Sequence, residues 1–137
     1  MNVKELMIGN WVKHAGGDYM QVTKLTENHY ACSKNGGCQC WDYNNIYNPV
    51  LLTVEILENN GFKQENMYVD DCYEYTVFCL NDFYIIQNYI EFEPFTICKL
   101  YNSTYNGNIG IGIKGIHYVH ELQNFLQNME IDKKITL

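Results

Sequence analysis

The stretch GIGIKG, residues 110–115, decides between two folds. Its glycine spacing, G-x-G-x-x-G, is that of the turn between a parallel strand and a helix in dinucleotide-binding folds. That fingerprint needs its first glycine in a tight turn after a strand, its second where the backbone approaches pyrophosphate, and its third where helix packs on strand. Here the glycines alternate with Ile109, Ile111 and Ile113, the period of a strand with one apolar face and Gly110 and Gly112 on the other. Asp132 stands near the distance of a ribose-binding acid, but it falls in EIDKKITL (130–137), which reads as an edge strand or a frayed tail. The stretch is therefore read as a strand, its missing side chains leaving room for a close neighbour, and no cofactor is expected.

The neighbouring segments extend that reading. FTICKLY (95–101) and NIGIGIK (108–114) flank the turn NSTYNG, while CYEYTVFCL (72–80) and FYIIQN (83–88) flank Asn81-Asp82. Together they predict an antiparallel sheet of about four strands. Further on, HYVHELQNFLQNM (117–129) places Tyr118, Val119, Leu122, Phe125, Leu126 and Met129 at helical spacing, with His117, Glu121, Asn124, Gln127 and Asn128 opposite. That pattern predicts an amphipathic helix.

Before the sheet, Thr53 is placed as an N-cap, Glu55 in the first turn and Gly61 as a left-handed C′ residue. Leu57 and Phe62 have the spacing of the contact that accompanies a Schellman ending, so a helix of about two turns is expected. The first third reads differently. NWVKH (10–14), YMQVTKLT (19–26), NHYACS (28–33) and CQCWDY (38–43) are too short for helices, and Gly16-Gly17 and Asn35-Gly36 supply the positive φ of tight hairpins. The expected architecture is α+β. A small SH3-like, barrel-like meander occupies 1–48, and a helix, antiparallel sheet and C-terminal helix occupy 49–137, either separate or packed as one domain.

Composition limits the function. Of the 137 residues, 47% are hydrophobic, with twelve Tyr and six Phe, which excludes a disordered chain. The net charge is -7 and all nine cations are Lys. Without the arginine fork, and with phosphate contacts supplying most nucleic-acid affinity, DNA or RNA is disfavoured as a partner. Neither a secretory apolar run nor a membrane-spanning one is found, so a cytoplasmic protein with no membrane partner is expected. In that compartment the six cysteines read as free thiols.

Two clusters are candidate sites. His29, Cys32, Cys38 and Cys40 gather soft ligands around one hairpin, whose turn would set Cys32 opposite Cys40. Zinc accepts three thiolates and an imidazole, but C-x5-C-x-C is not the paired C-x2-C knuckle, and free thiols are the competing reading. The second cluster is His117, His120 and Glu121 on the polar side of the last helix; His117 and Glu121 there also suit an ordinary i, i+4 pair. Eight tyrosines, Tyr43, Tyr47, Tyr68, Tyr73, Tyr75, Tyr84, Tyr89 and Tyr101, suggest an aromatic, acidic contact face, with ordinary strand positions whose hydroxyls reach water as the competing reading.

Three pieces in order, LMIGNWV (6–12), PVLLTVEILENNGF (49–62) and YVHELQNFL (118–126), resemble a family of small uncharacterised proteins encoded by gut anaerobes and their phages or mobile elements. The family pattern reads L-x-I-G-N-W-V, then P-[IL]-x-L-T-E-E-I-L-x-x-x-G-F, then Y-V-H-x-L-Q-N-L. The chain departs from it at Val54, where the pattern has Glu, and after Phe125, where the sequence is more polar. The resemblance implies an accessory protein of a mobile element and transfers no activity; its polar matches, His120, Gln123 and Asn124, add to the candidate surface site. The function expected is that of a non-enzymatic protein that binds another protein or itself. Nucleic-acid binding through Lys13, Lys24 and Lys34, nucleic-acid mimicry, and a small enzyme around His117, His120 and Glu121 are the alternatives.

Overall fold

The computed structural model describes residues 2–42, 45–69, 73–80, 83–87, 94–103 and 107–137. They form an α+β fold of mostly strands in two five-stranded antiparallel sheets, with a C-terminal helix. By contact the chain divides into two compact units, Met1–Leu51 with Tyr118–Leu137, and Leu52–His117. The C-terminal helix thus belongs with the N-terminal sheet, whereas the sequence division at 48/49 grouped it with the second one.

In the first unit a 3-10 turn, Val3–Glu5, leads to β1 (Trp11–His14), β2 (Tyr19–Leu25), β3 (Tyr30–Ser33), β4 (Cys40–Trp41) and β5 (Tyr47–Pro49). The strand order β4-β3-β2-β1-β5 makes a half-barrel. Its turns follow from the residues named above. Gly17 has φ +98° and its N–H donates to the His14 carbonyl at 2.8 Å. Asn35 and Gly36 take φ of 50° and 73°, and Gly37 N–H closes their turn on the Lys34 carbonyl at 2.9 Å. Two successive left-handed residues give a turn whose twist matches that of the flanking strands.

Strand β5 was not expected. Tyr47-Asn48-Pro49 is three residues long and ends on a proline, which lacks an N–H for a ladder and is tolerated here because β5 is an edge. The unit's core is Leu6, Val12, Met20, Val22, Tyr30, Cys32 and Tyr47, with Val3, Leu25 and Ile46 packed against it. Helix α2 (Val119–Asn128) packs on β1 and buries Val119, Leu122 and Leu126, as its spacing predicts. Met129, expected on the same face, is 49% exposed beyond the helix end.

The second unit opens with α1 (Val54–Asn59). The Thr53 hydroxyl accepts from Ile56 N–H at 3.2 Å, and Gly61 has φ +79°. Phe62 N–H reaches the Leu57 carbonyl at 3.1 Å and Gly61 N–H the Glu58 carbonyl at 3.0 Å, the paired bonds of a Schellman ending. Leu57 and Phe62 are both buried. Gly61→Ala places a Cβ in the left-handed region and should lower unfolding stability by about 1 kcal/mol. Chemical denaturation checks this, and an unchanged midpoint would contradict the role given to that glycine.

Five strands follow: β6 (Lys63–Val69), β7 (Tyr73–Leu80), β8 (Phe83–Gln87), β9 (Phe95–Ser103) and β10 (Gly107–Ile116). Their order is β10-β9-β8-β7-β6, with every neighbouring pair antiparallel. The expected sheet of about four strands lacked β6. Its sequence, KQENMYV, begins with four exposed polar residues, which suit a sheet edge but give no apolar alternation to read. All three glycines of GIGIKG lie inside β10, where one extra residue shifts the register against β9 between Gly112 and Lys114. The expected turn at 81–82 lies outside the described residues.

Register also sets the second core. Phe78 pairs with Ile85 and Ile85 with Ile97, so three side chains at 0%, 3% and 1% exposure form one row across β7, β8 and β9. Val77, on the opposite face of β7, is fully buried as well.

Candidate functional site

Two segments more than 110 residues apart in sequence meet in the first unit through side-chain amides. Gly9 turns the chain into β1 with φ +92°, and Asn10 beside it is 2% exposed. Asn10 Oδ1 accepts from Met7 N–H at 2.8 Å, while its Nδ2 donates to Asn124 Oδ1 at 2.9 Å. Asn124 Nδ2 then donates to the Glu5 carbonyl at 2.8 Å. Next to it on α2, Gln123 Oε1 accepts from Trp11 N–H at 2.9 Å and Nε2 donates to the Gly9 carbonyl at 3.1 Å. One primary amide therefore satisfies both the carbonyl of the Gly9 turn and the N–H of the first residue of β1. Because each of these partly buried groups has a partner, the clamp avoids the cost of orphaned polar atoms.

The segment after α2 joins the same arrangement. Ile131 N–H donates to the Leu126 carbonyl at 2.9 Å, and the Trp11 indole N–H donates to the Ile135 carbonyl at 2.8 Å. Ile135 itself is 3% exposed, so residues 131–135 are docked rather than frayed, and they take no strand. Between this segment and the Gly9 turn lies a cavity of about 420 Å³, walled by Ile8, Gln21, Gln123, Gln127, Ile131 and Lys134 among others. Ile8, in the turn before Gly9, is 64% exposed. No His, Cys, Ser, Thr or Tyr is among the described residues that line the cavity. Amide, ammonium and carboxylate groups on an apolar floor can hold a ligand.

Of the residues singled out from sequence, Gln123 and Asn124 meet in the clamp. His117 precedes α2 and belongs to the second unit, where its carbonyl accepts from Leu52 N–H at 2.9 Å; it is not on a helical face with Glu121. His120 is 2% exposed and stacks on Tyr118 with ring centroids 5.6 Å apart and planes within 9°. Glu121 accepts the Tyr118 backbone N–H at 2.9 Å and so caps the helix start. Gln123 and Asn124 are clamp residues, half-buried and occupied by backbone and Asn10. The missed partners, Gly9 and Trp11, had one signal in the sequence: GNW and LQN both stand in the resembling pattern.

Cys32 does face Cys40 in register, as the hairpin reading required. However, Cys32 is fully buried, whereas Cys38 and Cys40 are exposed. Among the described residues no three His, Cys, Asp or Glu side chains stand where they could hold a metal ion. Burial first, then Asp42 and Cys40, push the Cys32 thiol up to about 12, which opposes the thiolate form a metal needs.

Of the eight tyrosines expected at the surface, Tyr47 is 2% exposed and packs on Tyr30 with centroids 5.9 Å apart; Tyr84 is half-buried. Tyr43 and Tyr89, and the side chains of Tyr68, Tyr73, Tyr75 and Tyr101, lie outside the described residues. Among the lysines considered for nucleic acid, Lys34 is paired with Asp18 at 2.8 Å and Lys13 sits 5.6 Å from the Tyr19 ring centroid. No helix among the described residues is long and apolar enough to cross a membrane. No protein-family model, curated protein or solved structure matches the chain.

Proposed function

We propose that this chain is a non-enzymatic, cytoplasmic binding module, an accessory protein of a phage or mobile element, that takes an apolar segment of a partner protein into the cavity beside the amide clamp. The observation that carries the reading is Ile8, 64% exposed on a turn fixed by the clamp, at the mouth of a cavity floored by Ile131 and Ile135. An exposed apolar side chain on a rigid support contributes to binding with little ordering cost. The cavity's volume, about 420 Å³, falls in the range of ligand sites, and its Gln21 and Gln127 amides suit the N–H and C=O groups of an extended peptide.

Two further observations support the wider reading. In the first sheet the opening strand pairs with both the second and the last, an order that suits an SH3-like barrel. The residues shared with the phage and mobile-element pattern, Gly9-Asn10-Trp11 and Gln123-Asn124, are the ones that bond to each other. A shared device for holding the cavity would account for their joint presence.

Affinity capture from cells with tagged wild type and Ile8→Glu, with and without nuclease, tests this. Wild type should enrich a protein that survives nuclease, and the variant should lose it by about tenfold or more while keeping its melting midpoint. Capture that disappears with nuclease, or that Ile8→Glu leaves unchanged, would refute the proposal.

A further inference from the structure

The hairpin β3–β4 carries a pair of facing thiols. Cys32 and Cys40 are direct register partners on antiparallel strands, so their side chains leave the sheet on one face. Two residues along, Asp42 N–H donates to the Tyr30 carbonyl at 2.9 Å, which makes the Cys32–Cys40 position the hydrogen-bonded kind of pair. Such pairs have Cα atoms about 5.5 Å apart, at the commonest separation for a disulfide. Both cysteines are free thiols. The buried Tyr47 hydroxyl feels both: it is pushed up to about 12 by burial first, then by Cys32 and Cys40.

Their exposures differ in a way that divides the chemistry. Cys40 is open to solvent on the edge strand β4, whereas Cys32 is fully buried in the half-barrel core. We propose that Cys32 and Cys40 are a reversible modification site, oxidised to a cross-strand disulfide by a small disulfide such as oxidised glutathione. The Cys40 thiolate attacks one glutathione sulfur, the glutathione S–S bond breaks, and one glutathione thiolate leaves. The Cys32 sulfur, giving up its proton, then attacks Cys40 Sγ in the mixed disulfide and displaces the second glutathione. Two protein thiols lose two electrons and two protons, and one glutathione disulfide becomes two glutathione thiols. The product ties the two-residue edge strand β4, otherwise held by a short ladder, covalently to β3.

The second step is limited by the buried thiol. Since Cys32 is raised to about 12, its thiolate fraction climbs about tenfold for each pH unit between 7 and 9, and ring closure should accelerate accordingly.

The test uses the whole chain carrying Cys38→Ser, which removes the exposed competitor. After incubation with oxidised glutathione and acid quenching, this protein should lose the mass of two hydrogens, with non-reducing peptide mapping joining Cys32 to Cys40. Its closure rate should rise with pH, its melting midpoint should rise by several degrees, and dithiothreitol should reverse both changes. Cys40→Ser in the same background, altering an exposed side chain, should form no internal link. The proposal fails if the Cys38→Ser protein merely keeps one glutathione on Cys40 at pH 9, or if the link maps to another pair.

Discussion

Asn10→Ala should destabilise the first unit by about 3 kcal/mol, more than most single polar truncations. The side chain is 2% exposed and serves two groups at once, the Met7 N–H and Asn124 Oδ1. Alanine leaves both without their partner, and each orphaned group costs about 1–3 kcal/mol where water does not replace it. Asn124→Ala should cost less, since Asn124 is half-buried. The two effects should not add: a double-mutant cycle in urea is expected to give a coupling of about 1 kcal/mol for the amide pair. A loss below about 0.5 kcal/mol for Asn10→Ala would mean that the clamp does not hold the Gly9 turn.

The largest loss in the second unit is expected from Phe78→Ala, at about 3–5 kcal/mol. Phe78 is fully buried at the start of the row that Ile85 and Ile97 continue. Truncation removes the apolar transfer energy of the ring and leaves a void that strands pinned in register can close only in part. Phe78→Leu, which refills most of that volume, should recover more than half of the loss. Far-UV circular dichroism through a urea transition reads both variants. Equal losses for the two would indicate that the row is not packed as described.

Much of the second unit was legible locally. The Leu57–Phe62 spacing around Gly61 specified a helix ending that the backbone bonds reproduce, because a left-handed C′ residue and its two hydrogen bonds are set by six consecutive residues. The alternation in 108–114 identified β10, because side-chain period depends only on neighbouring residues. Strand β6 was not legible, since its solvent-facing polar residues leave no apolar period. The candidate site was the least legible part. His117, His120 and Glu121 looked like one polar helix face, but the helix starts at Val119, after His117, and tertiary packing buries His120.

The sequence by itself determined the antiparallel α+β class, the hairpin turns at Gly17 and Asn35-Gly36, the limits of α1 and the strand nature of GIGIKG. Those features depend on steric preferences and periods that act over a few residues. Only the tertiary structure decided that α2 joins the first sheet, that Gln123 and Asn124 bind Gly9, Asn10 and Trp11, and that residues 131–135 wall a cavity. Side-chain amides carry no directional signal along the chain. They can satisfy backbone, solvent or each other, and which one they meet depends on contacts across more than 110 residues of sequence.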